Sequence, residues 1–100
     1  MRAIVVDQPG GIETLVVRDV PEPEIGSREV LIETAYCGCN WADLQRRQGT
    51  YPHAVDYPHI MGREISGTVV ALSSEAEGFA VGDRVIAIPS SGGYAERCIA

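Results

Sequence analysis

Lysine is absent from this chain, and tryptophan and phenylalanine occur once each. Without lysine there can be no Walker-type phosphate loop, and no Gly-x-Gly-x-x-Gly run supplies a phosphate-holding turn either. The eight arginines stand against fourteen acids, a formal net charge of −6. That balance leaves no cationic patch able to neutralise a row of phosphates, so nucleic acid is not an expected partner. No apolar run approaches the ~20 residues that span a bilayer, and Met1-Arg2-Ala3-Ile4-Val5-Val6-Asp7 lacks the layout of a signal peptide. The expectation is a cytoplasmic chain with no membrane partner. Cysteine is sparse, at three residues. An odd number cannot all pair, and Cys37 and Cys39 stand only two apart, so reduced thiols are expected rather than a disulfide framework.

What is present fits one globular domain over residues 1–100, with 45% apolar residues to build its core. Short alternating segments divided by glycine and proline point to a mainly β fold and away from a parallel α/β architecture. Ala3–Val6 and Thr14–Val17 flank Pro9-Gly10-Gly11 and read as a hairpin; Pro21 and Pro23 close its second strand. Further strands are expected at Val30–Tyr36, Ile65–Leu72, Arg84–Ile88 and Gly93–Ile99. Alternation in the first of these puts Val30, Ile32 and Tyr36 on a core face, opposite Glu33. Ser73–Gly78 is a polar connection.

One short helix is predicted over residues 40–48. Asn40 is a good N-cap, Asp43 sits three residues on at capping-box spacing, Arg46 and Arg47 fall near the negative end, and Gly49 suits the left-handed C′ position. Trp41 and Leu44 would form its buried side. Glu64, between Gly62 and an apolar strand, is expected to be partly buried and paired with Arg63 or Arg84. Cys37, Cys39, His53 and His59 match no regular metal spacing; buried thiols and loop histidines are the preferred reading.

Ala35-Tyr36-Cys37-Gly38-Cys39-Asn40, Gly49-Thr50-Tyr51-Pro52, Gly62-Arg63-Glu64 and Val81-Gly82-Asp83-Arg84-Val85 follow one another in the order and at spacings similar to those of the medium-chain dehydrogenase/reductase superfamily. The combination most closely resembles the zinc-independent NADPH:quinone oxidoreductases, and within them only the amino-terminal catalytic domain. The resemblance implies a GroES-like, partly open β-barrel. It implies a substrate-side domain that reduces quinones or α,β-unsaturated carbonyls by hydride transfer. NADPH would be held chiefly by a Rossmann domain that this chain lacks. Asn40 and Tyr51 would face the nicotinamide and substrate as catalytic and cofactor-side groups, with Asp43, Arg63 and Glu64 as structural neighbours. In the more distant zinc alcohol dehydrogenases a cysteine falls where Asn40 stands and a histidine where Arg63 stands. An amide is a poor zinc ligand and a guanidinium is not one, so no metal is expected. Family members often carry a second tyrosine where Gln45 stands.

The chain ends at Ala100 with the Tyr94–Ile99 alternation still running, so a truncated product or a domain cut from a larger, homo-oligomeric enzyme is expected, inactive by itself. The alternatives are a zinc alcohol dehydrogenase with unusual ligands and a non-catalytic GroES-like module that captures partners with a mobile loop.

Overall fold

The computed structural model describes all of residues 1–100. Strands β1 (Arg2–Val6), β2 (Val16–Asp19), β3 (Val30–Cys37), β4 (His59–Ile60), β5 (Ile65–Leu72), β6 (Arg84–Ala87) and β7 (Arg97–Ile99) surround one helix, α1 (Trp41–Gln48). They form two sheets, ordered β2-β1-β4 and β6-β5-β3-β7. A single bridge from Ala3 to Ala95 links the two. The sheets do not close on each other, and the result is the mainly β, partly open barrel with one helix that the sequence leads one to expect.

The hairpin forms as anticipated, with Ile4 opposite Val17 and Val5 opposite Val16. Its second strand starts two residues later than expected because Ile12–Thr14 takes a 3-10 turn first. The last strand is shorter than Gly93–Ile99, since the chain at Ala95 bridges the other sheet before β7 begins. The two-residue β4 has no sequence signal; it exists because Val5 and Val6 need partners on their free edge.

The core lies under the four-stranded sheet. Val30, Ile32, Ile65, Val69 and Cys98 are all buried there, with Leu72, Val85 and Ala87 around them. On β5 the alternation is regular: Ile65, Gly67 and Val69 are buried while Ser66 and Thr68 are half-buried. On β3 it is not. Thr34 pairs with Gly67 and Tyr36 with Ser66, so Ala35 is an extra residue. One inserted residue moves every later side chain to the other face. Tyr36 therefore leaves the core and is 77% exposed, a correction to the face assigned from simple alternation. Leu31 is buried as well, because β3 is flanked by strands on both sides and pairs there with Ala71 and Ile99.

No helix is long and apolar enough to cross a membrane. All three cysteines are free; Cys37 and Cys39 are exposed rather than buried, and only Cys98 is inside. Burial pushes the Cys98 thiol up to about 11.

Candidate functional site

The helix starts where expected. Asn40 is its N-cap in extended conformation, and its backbone N–H donates to Asp43 Oδ2 at 2.9 Å. Gly49 closes the helix in left-handed conformation, φ 77°. The first residue outside the helix thus sits at the positive end of the helix dipole, in a capping box with Asp43. Its Nδ2 donates to Glu64 Oε2 at 3.2 Å.

Glu64 is not the partly buried, arginine-paired acid expected. It is exposed, forms no ion pair with Arg63 or Arg84, and takes the Asn40 amide as its partner. Gly38 makes this possible: a Cβ there would stand 2.4 Å from Glu64 Oε1, so any larger residue would displace the carboxylate from Asn40.

The helix packs with its polar side inward, which reverses the expected burial of Trp41 and Leu44. Trp41 is 68% exposed and Leu44 is also exposed, while Asp43 and Arg46 are 3% and 8% exposed. Each buried polar residue has partners that explain its position. Asp43 Oδ2 also accepts the Tyr94 hydroxyl at 3.1 Å. Arg46 Nη1 donates to Ser90 O at 2.7 Å, and its guanidinium lies 4.5 Å from the centroid of the Tyr51 ring. The carboxyl end of α1 is tied to the hairpin turn by Gly10 N–H to Arg47 O and Arg47 Nη1 to Gly10 O.

Tyr51 is half-buried. Its hydroxyl accepts a long contact from Arg63 Nη1 at 3.4 Å, and its ring meets His53 edge-on at 5.5 Å. His53 is an exposed loop residue, as expected. Asn40 and Tyr51 are therefore tied to consecutive residues, Glu64 and Arg63, in the segment entering β5. They do not share an enclosed cavity. Tyr51 lines a small cleft of about 170 Å³ with Pro9, Gly49 and Tyr57, and Asn40 is not in its wall.

Tyr94 is the residue that sequence reasoning passes over. Gly62, the first residue of Gly62-Arg63-Glu64, places it: φ at Gly62 is 94°, and a Cβ there would be 2.4 Å from Tyr94 Cδ1. Only glycine fits both the conformation and the contact. Burial first, then the Cys39 thiol and Asp43, hold the Tyr94 phenol far above its ordinary range, so it stays protonated as a donor to Asp43. The available signal was the Gly92-Gly93 pair before it. Gln45, where family members often have tyrosine, is half-buried on the helix.

A family profile described as the alcohol dehydrogenase GroES-like domain matches residues 26–100. The chain is 37% identical to human quinone oxidoreductase across all of its own length and 31% of that protein's. It is 39% identical to the acryloyl-coenzyme A reductase of Sulfurisphaera tokodaii, over 88% of this chain and 25% of the relative. The structure of Escherichia coli quinone oxidoreductase complexed with NADPH superposes on 99% of the chain with a TM-score of 0.92 at 27% identity, using 30% of that protein. The chain thus spans about a quarter to a third of the length of the proteins it matches. It belongs to the alcohol dehydrogenase GroES-like domain family, within the medium-chain dehydrogenase/reductase superfamily.

Proposed function

We propose that this chain is the substrate-side domain of a zinc-independent, NADPH-dependent oxidoreductase acting on quinones or α,β-unsaturated carbonyls. The observation that carries the reading is the likeness to quinone oxidoreductase along the whole chain. Human quinone oxidoreductase and the acryloyl-coenzyme A reductase are oxidoreductases by name, and the Escherichia coli quinone oxidoreductase structure is complexed with NADPH.

The residues present suit only one end of that cofactor. No glycine fingerprint or lysine is available for its phosphates, and the principal hold on it falls to a part outside these residues. The nicotinamide end is different. Asn40, held by Glu64, and Tyr51, held by Arg63 and Arg46, offer an amide and a phenol tied to consecutive residues at the start of β5. NADPH supplies the hydride when bound. This domain's part is to orient the acceptor and to place donors toward the oxygen on which charge develops.

Zinc independence rests on side-chain chemistry. Asn40 and Arg63 replace the cysteine and histidine of zinc enzymes, and no group of three or more His, Cys, Asp or Glu side chains is gathered to hold an ion. Cytoplasmic location, a homo-oligomeric parent and the absence of nucleic-acid and membrane partners complete the proposal.

A chimera tests it: this chain replaces the equivalent third of human quinone oxidoreductase. It is expected to bind NADPH, hold no stoichiometric zinc and reduce a quinone, with Asn40→Ala lowering kcat/KM about a hundredfold. A folded chimera that binds NADPH but reduces neither a quinone nor an enone would overturn the assignment.

A further inference from the structure

A cleft of about 560 Å³ has a wall that includes Arg46 of α1 with Val55, Pro58, Ile60, Ser91 and Ile99. Arg46 is the buried charge on this wall and makes no ion pair; the buried acid three residues earlier on α1, Asp43, spends Oδ2 on Asn40 and Tyr94. Nη1 is spent on Ser90 O, Nε is buried without a hydrogen-bond partner, and Nη2 makes no hydrogen bond within the protein. The three ion pairs of the molecule lie elsewhere.

The other charged groups on the wall do not compensate it. Arg97 is paired with Glu22, the amino terminus of Met1 donates to Val20 O, and Asp56 is an exposed acid that makes no contact with Arg46. His59, whose Nε2 lies 3.5 Å from Nη1, cannot neutralise a cation. The face of Tyr51 offsets part of the cost of burial, yet a buried guanidinium without a direct ion pair remains expensive. A cation at nine-tenths burial with unused N–H groups, set in a wall that mixes polar and apolar groups, is one half of an anion site.

We infer that this cleft binds a small organic carboxylate, its charged end on Arg46 and its apolar body against Val55, Ile60 and Ile99. The cleft adjoins Tyr51, on whose ring Arg46 stacks, but the inference does not rest on the oxidoreductase reading.

Benzoate, benzamide and inorganic phosphate are titrated at constant ionic strength into the chain, followed by NMR at the Arg46 side chain and the amides of Val55 and Ile60. Saturable shifts with benzoate and none with its neutral isostere support the site. Arg46→Gln is expected to weaken benzoate about tenfold or more, the loss of one charge-assisted contact; Arg46→Lys, which keeps the cation, loses less. Equal binding of benzamide, unchanged benzoate binding by Arg46→Gln, or no saturation with wild-type protein would each overturn the inference. Phosphate binding as tight as benzoate would overturn the role given to the apolar wall. The benzoate–benzamide comparison needs no variant and decides the matter if Arg46→Gln does not fold.

Discussion

Asp43 is the residue on which the site's geometry turns. One of its oxygens accepts both the Asn40 N–H and the Tyr94 hydroxyl in a nearly water-free position. Asp43→Ala removes half of a capping box and orphans a partly buried phenol, and it is expected to cost about 2–4 kcal/mol in urea denaturation. Tyr94→Phe should cost about 1 kcal/mol. The double variant should cost less than the sum, because with both gone no polar group is stranded. His59 gives a pH signature. Burial first and Arg46 second lower its pKa in the folded state. The unfolded chain therefore takes up the proton at higher pH, near 6.5, than the folded chain does. Stability is full above that value and declines as pH falls below it; thermal melts of His59→Gln should show a flatter slope in the same window.

At the scale of elements, the helix existed in the sequence but its orientation did not. Asn40, Asp43 and Gly49 are local signals, each acting on backbone groups within one turn, and they place the ends of α1 correctly. The expected buried side was wrong because hydrophobicity was ranked without knowing that Tyr94, Ser90 and Tyr51 would supply partners for a carboxyl and a guanidinium. Trp41→Ala should accordingly change stability by no more than about 0.5 kcal/mol. Ile65→Ala, in a core position at 1% exposure, should cost about 2–5 kcal/mol in the same denaturation series. Tyr36 teaches a similar lesson: alternation holds only until an extra residue such as Ala35 breaks the register, and nothing about an alanine announces a bulge.

For the whole molecule, Asn40 and Tyr51 line no common cleft, and Tyr51 alone borders a small one of about 170 Å³. One wall can orient an acceptor but cannot exclude water from it or grip a dinucleotide. The isolated chain is therefore expected to show no quinone-dependent NADPH oxidation above the uncatalysed rate in a 340 nm assay, and measurable turnover would contradict the division of labour proposed here. The exposed Trp41 and Leu44 lie on the helix next to Asn40, and the buried side of that helix is polar, through Asp43 and Arg46.

The amino-acid sequence by itself determined the fold class, the hairpin, the helix ends and the family, because those depend on period-two patterning, on caps and on glycines acting within a few residues. The absence of lysine also excluded a Walker-type loop by composition alone. Tertiary structure decided which polar groups could be buried. Asp43 and Tyr94 are fifty-one positions apart, and Arg46 and Ser90 forty-four. Contacts at such separations exist only once the sheets have brought the segments together, and a buried charge is tolerated only where partners converge in three dimensions. The same folding left Arg46 with one face supplied and the other open.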